Sequence, residues 1–380
     1  MFPCQSLLDR ANVLILLLTT LLCSVVLFVC GCRREETGRV KSPADSSEVI
    51  AEASDRARGE ADPLAAAMAQ MQRGHPEKAL HAVEEILGSQ PKNIEALGAA
   101  VEIHSRHGEF AEAADYGVRL ASADPRDAPA LLIRCFDWNL RAGRYALAEA
   151  NLLTSLEFAP RDVAARRLLV QLLNSQGRRI ETRPHVEELI RGKAVAWPEI
   201  LSLIDLRGPF TLVSFDEAID VSKVSLFSLG KLRTSYAGFE SKPAQVIESA
   251  ERILEACPDS ASAWAFYGRL LVENGRERDL PDWLSDLPPG TTAQPEYWTT
   301  LGTWLQRADR HAEAIRAYGE ALRLDSGNRE ALRDLVVSLD RMGAEEQSLA
   351  ARKQLAILDQ IFRIARDADA EQSMWIATEM

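Results

Sequence analysis

The sequence predicts an all-α fold, a solenoid of stacked helical hairpins, on three observations. A phrase of apolar and small residues recurs about every 34 residues, the period of a two-helix unit. Its clearest copy is Trp298, Leu301, Gly302, Leu305, Ala314, Tyr318 and Ala321, and earlier copies close on Pro91, Pro125, Pro160 and Pro258. Gly74, Gly108, Gly143, Gly177, Gly275 and Gly343 stand in phase with the phrase, where a tight turn needs a residue without a side chain. The composition is 47% hydrophobic but only 6% aromatic, which suits one long continuous core in which each unit packs on the next.

From the amino terminus, Asn12 to Val29 is an apolar run without a formal charge, preceded by Arg10 and followed by Gly31, Cys32, Arg33 and Arg34. Such a run is an export segment or a membrane span and belongs to no repeat. Val29, Cys30, Gly31 and Cys32 resemble the bacterial lipoprotein signal, with Cys30 as a departure from its pattern. The resemblance implies a lipid on Cys32, removal of the preceding residues, and an extracytoplasmic chain anchored in the cell envelope. An uncleaved anchor and ordinary secretory cleavage are the other two fates of residues 1–32. Residues 33–63 are rich in charge, Ser, Ala and Gly and read as a polar tether, with a reach on the order of 30 Å.

The repeats themselves follow at 64–192 and 227–344. In the best copy Trp298, Leu301 and Leu305 lie three and four apart on one helical face, and Gly302 removes a side chain where the next helix approaches. Ala314, Tyr318 and Ala321 repeat the spacing on the second helix, with the small Ala314 at the crossing and the ring beside it. Weaker copies carry Gly108, Ala113 and Pro125, then Gly143, Ala148 and Pro160. The sixth begins with Trp264 and Gly268 but has Pro281 in its second helix, which predicts a short or displaced element, and the fourth carries Pro184 there. These residues resemble the tetratricopeptide repeat family. The resemblance implies about eight hairpins wound into a right-handed superhelix whose first helices line a concave groove.

Between the two arrays, 193–226 lacks the phrase. Trp197–Leu206 reads as a helix ended by Gly208 and Pro209, and Phe215–Val221 as the start of another with Asp216 near its first turn. It is either a degenerate repeat that bends the array or a boundary between two halves. At the far end, 345–380 outlasts a normal second helix: Leu349, Leu355, Leu358, Phe362 and Ala365 form one apolar stripe, and Ile357, Ile361 and Ile364 a second. A helix folded back as a cap and a self-association surface both fit that pattern.

Signals for catalysis, metals or cofactors are poor. His104 and His107 share a helix face beside Glu102 and Glu109 without a third ligand of matching spacing. Asp282 and Asp286 flank Trp283 as an ordinary helix edge would, and Cys135 and Cys257 read as single core thiols. No nucleophile motif or phosphate loop is present, so a non-enzyme without cofactor is expected. The balance of 44 basic against 56 acidic residues, formally −12, argues against a nucleic-acid partner.

The groove implied by the resemblance carries Glu95, Glu102 and Asp137 early, then Arg167, Gln171, Asn174, Lys231, Ser235 and Arg269 in its middle. A basic and amide-bearing centre would suit the acidic part of an extended peptide. The positions that match the family's chaperone-tail clamp are Leu64, Met68, Ala99, Ala130 and Arg134, and only the Arg is of the required kind. The expectation is a membrane-tethered, non-catalytic scaffold for another protein or peptide. Its alternative is an envelope-assembly or secretion subunit that forms homo-oligomers through the terminal helix.

Overall fold

A computed structural model describes residues 63–196, 199–200, 203, 223–237 and 243–379. The expectations for Cys32, the apolar run, the tether and the connector helices at Trp197–Leu206 and Phe215–Val221 lie wholly or largely outside them. The described residues are all-helical and form consecutive hairpins, an α-solenoid. Hairpins one to three are α1 (Pro63–Gln72) with α2 (Pro76–Ser89), α3 (Ile94–His107) with α4 (Phe110–Ala123), and α5 (Ala128–Arg141) with α6 (Tyr145–Phe158). Hairpin four is α7 (Val163–Ser175) with α8 (Arg179–Arg191), and hairpin five is α9 (Leu226–Ala237) with α10 (Pro243–Ala256). Hairpin six pairs α11 (Ala261–Glu273) with the short α12 (Leu280–Ser285). Hairpin seven is α13 (Pro295–Arg307) with α14 (His311–Leu324), and hairpin eight is α15 (Arg329–Arg341) with α16 (Glu345–Glu379).

Local chemistry starts and stops these helices. The side chains of Asn93, Asp162, Ser260 and Asn328 accept from backbone N–H groups in the first turns of α3, α7, α11 and α15, which is N-capping. The glycine ladder is turn chemistry, as its phase predicts: Gly74, Gly108, Gly143, Gly177, Gly275 and Gly343 all have φ between 69° and 80°. The residue after each donates its N–H back five positions, as from Arg144 to Asn139 O at 2.8 Å and from Arg276 to Leu271 O at 2.8 Å, closing a Schellman turn. In hairpin seven Asp309 takes the glycine's place at φ 56° and the same bond survives, from Arg310 to Leu305 O at 2.9 Å.

The crossing residues are where the phrase acts. A Cβ added to Gly302 would lie 2.5 Å from Cε1 of Tyr318, so the missing side chain is what seats the fully buried ring. In hairpin six a Cβ on Gly268 would lie 2.2 Å from the Trp283 ring, so Trp283 of the shortened α12 fills the place that Tyr318 fills in hairpin seven. Ala113, Ala148, Ala314 and Ala321 are fully buried, as small residues at crossings must be. Trp298 differs from its expected place: it is half-buried, and Tyr297 is the buried aromatic of that turn. The indole N–H of Trp298 donates to Thr292 O at 2.7 Å, and that of Trp264 to Pro258 O at 2.7 Å, so the signature tryptophans pin the loop that leads into their own helix.

Pro184 does not break α8, which runs through it. The chain separates into two compact units, Met1–Phe158 and Ala159–Met380. The break in packing falls before hairpin four, so α7 and α8 belong with the second array despite the irregular stretch that follows them. Gly230 of α9 lies so close to α7 that a Cβ there would stand 2.0 Å from Ser175 O. Hairpins four and five therefore stack directly.

The terminal helix α16 folds back on its own hairpin. Ala351, Leu358 and Ile361 are buried, Phe362 lies under the Arg329 guanidinium at 4.2 Å, and Arg329 Nε donates to Asp359 at 2.8 Å. Leu349 and Ile357 face solvent, so the stripe expected through Leu349 is narrower and begins at Ala351. Gly302→Ala should destabilise the chain by about 1–3 kcal/mol in chemical denaturation, because Tyr318 cannot retreat within a filled crossing. A neutral result would show that Gly302 is not at the crossing.

Candidate functional site

The second unit carries a cavity of about 120 Å³, walled by the first helices of hairpins five to eight and by the start of α8. Its chemistry is a ladder of alternating charge. Arg233 of α9 grips Glu296 of α13 with both terminal nitrogens, at 3.1 and 2.7 Å, and donates to Ser262 O at 3.0 Å. Its guanidinium also lies over the Phe266 ring at 4.5 Å. Arg269 of α11 reaches Glu273 at 2.8 Å, Glu330 of α15 at 3.1 Å and Glu296 at 3.7 Å. Burial, the largest influence on Arg269, would lower its pKa, but the carboxylates of Glu330, Glu273 and Glu296 together outweigh it and hold the group above its ordinary value.

The far wall comes from α8. Arg179 donates to Asp325 Oδ2 at 3.0 Å and Arg183 to Asp325 Oδ1 at 2.9 Å, and Asp325 is 2% exposed. Thr299, Thr300, Thr303 and Asn328 complete the lining, and the Asn328 amide donates to Thr299 Oγ1 at 2.9 Å. Nε of Arg233 and the Thr300 hydroxyl are buried and hydrogen-bond to no group among the described residues. The wall is therefore polar, almost charge-balanced and held open by its own ion pairs, an arrangement suited to recognising charged or polar main-chain groups.

The residues expected in the groove fall in different places. Arg269 lines the cavity, with its charge shared among three carboxylates. Arg167 is ion-paired with the buried Glu199 and donates to Ala194 O at 2.7 Å, so it anchors the chain that follows α8. Gln171 and Asn174 are buried, Lys231 is exposed, and the Ser235 hydroxyl donates to Lys231 O at 2.8 Å. Arg167 and Arg269 are thus both met by carboxylates, Glu199 for the one and Glu273, Glu296 and Glu330 for the other.

Arg233, Glu296, Glu330, Asp325, Arg179 and Arg183 escaped the sequence reading. A one-period shift would have revealed three of them: Arg233 stands at a similar place to Arg269 of the next hairpin, and Glu296 and Glu330 at similar places in the two hairpins after that. Arg179 and Arg183 had no such signal, since they lie on a second helix.

His104 is buried, stacks on Tyr116 at 5.2 Å and lies 2.6 Å from Glu109 through Nδ1. No group of three potential metal ligands occurs among the described residues. Cys135 is buried, which pushes its thiol up to about 12, far from a reactive thiolate.

The hairpin stack and its polar inner wall define the class as an α-solenoid repeat protein. Residues 64–128, hairpins one and two, match the tetratricopeptide repeat family. Among solved structures it is similar to a chain of the Cut9–Hcn1 hetero-tetramer of the APC/C, at 14% identity and a TM-score of 0.34, over 80% of this chain and 70% of that one. It is also similar to a tetratricopeptide repeat protein from Parabacteroides merdae, at 11% identity and a TM-score of 0.28, over 73% of this chain and 97% of that one. No curated protein matches the chain.

Glu296 joins two guanidiniums, so Glu296→Ala should cost about 1–3 kcal/mol in urea denaturation by leaving both short of a partner in a half-buried site. Glu296→Leu combined with Arg233→Met should recover much of that loss. Equal losses in the single and double variants would show that the ladder is not a coupled unit.

Proposed function

We propose that this protein is a protein-interaction scaffold, held at a bacterial envelope membrane through Cys32, which receives a partner's extended segment along the first helices of its second unit. The observation that carries the reading is the cavity wall, where hairpins five to eight each contribute polar side chains to one continuous lining. Repeats of this family generally bind proteins or peptides, and a lining rich in Arg, Glu, Thr and Asn can hydrogen-bond an extended main chain and select its charges. The tether rests on residues 12–32, the resemblance to a lipoprotein signal. Among the described residues no helix is long and apolar enough to cross a membrane.

The alternative, self-association through α16, has less support, because Leu358 is buried against its own hairpin and Phe362 lies under Arg329. A photo-crosslinking residue at Lys231 of the full chain, in a bacterial host's envelope, should give one discrete protein adduct, and the same residue at the outer position Arg252 should give none. Cys32→Ser should abolish a lipid-modified mature terminus in the intact mass of the membrane fraction. Identical adduct patterns at the two positions would contradict the groove, and an unchanged mass would contradict the lipid anchor.

A further inference from the structure

Asp325 makes a contact that the repeat architecture does not require. In a stacked array each hairpin touches its neighbours, yet Arg179 and Arg183 reach Asp325 from 146 and 142 positions away, from hairpin four to the end of hairpin seven. Arg183 also donates to Leu324 O at 3.3 Å, and Gly327 N–H donates to Asp325 Oδ1 at 3.1 Å. The same repeat position in hairpin two is Asp124, which is satisfied locally by Arg126 at 2.8 Å and by its backbone N–H at 3.2 Å. In hairpin seven Ser326 and Gly327 stand where Pro125 and Arg126 stand in hairpin two, so Asp325 has no arginine beside it and is gripped from across the cavity.

The arginine pair is built for a carboxylate and remains within reach of water. Arg179 and Arg183 stand four apart on one face of α8, with side chains 26% and 28% exposed, and each gives one terminal nitrogen to a different oxygen of the same carboxylate. In the same cavity, the buried Nε of Arg233 and the Thr300 hydroxyl are donors with no acceptor among the described residues. When Asp325 withdraws, Arg179 and Arg183 give up the carboxylate they share and the cavity wall loses one negative charge.

We propose that Arg179 and Arg183 form a carboxylate-binding site which Asp325 occupies as an internal stand-in, and that an acidic segment of a partner protein displaces Asp325 to enter the cavity. The proposal rests on the peptide-binding reading above and adds the chemistry of the segment and a latch that opposes it. An internal competitor lowers apparent affinity by the fraction of time it occupies the site, so its removal strengthens binding without any new contact.

The test is fluorescence anisotropy of the full chain with a fluorescein-labelled deca-glutamate peptide at low salt. Asp325→Asn, which keeps an oxygen for the Gly327 N–H, should tighten binding at least about tenfold, as expected for removal of a competitor that fills the site most of the time. Adding Arg179→Gln and Arg183→Gln should abolish the gain. Unchanged affinity in Asp325→Asn, or a gain that survives loss of both arginines, overturns the proposal. If circular dichroism shows Asp325→Asn to be unfolded, hydrogen exchange on the unaltered chain decides: saturating peptide should deprotect the amide of Gly327, and unchanged protection overturns the latch. A chain that crosslinks a partner at Lys231 but fails these tests loses the latch and keeps the scaffold reading.

Discussion

The close approach of two helices at each hairpin crossing is the constraint on which the rest depends. Gly302 against Tyr318 and Gly268 against Trp283 put a bare backbone beneath a large ring, and the small Ala113, Ala148 and Ala314 are fully buried on second helices. Only at that separation can a two-helix unit bury one face against its partner and offer the other to the next unit. The left-handed glycine turns follow from it, because helices this close leave room for a connection of a few residues only.

Stacking of this kind settles where first helices point, and the second unit uses that regularity for polar chemistry. Arg233 and Arg269 come from two successive hairpins and Glu296 and Glu330 from the next two, so a repeat register becomes an alternating ladder of charge. Such a ladder links the first helices of hairpins five to eight along the inner wall. The grip of Arg179 and Arg183 on Asp325 lies outside that logic, since it joins hairpins that are not neighbours in the stack. Asp325 is buried while the two guanidiniums stay partly open, so breaking the contact is costly unless another carboxylate takes its place.

Much of the fold was legible because it is periodic. The phrase at Trp298–Ala321, the glycine positions and the weak α12 at Pro281 were all visible in the sequence, since each is a local consequence of helix pairing. The exposure of Trp298 was not, because its helix face alone does not say whether the ring turns inward like Tyr297 or back onto the loop at Thr292. The site was less legible than the fold. Counting cations identified Arg269 and Arg167, but their carboxylate partners lie one or more hairpins away, and the pairing depends on superhelical geometry that no single repeat encodes. Asp325 is an ordinary helix-ending acid until the fold brings α8 across to it.

The central claim is that stability here is local to the stack, and native-state hydrogen exchange of Tyr318→Ala tests it most directly. Emptying the hairpin-seven crossing should cut protection in α11, α13, α14 and α15 while α3 to α6 keep theirs, because each hairpin is supported by its neighbours. Equal loss of protection in α3 to α6 and in α13 to α15 would contradict that account and show a single cooperative body in place of a repeat array.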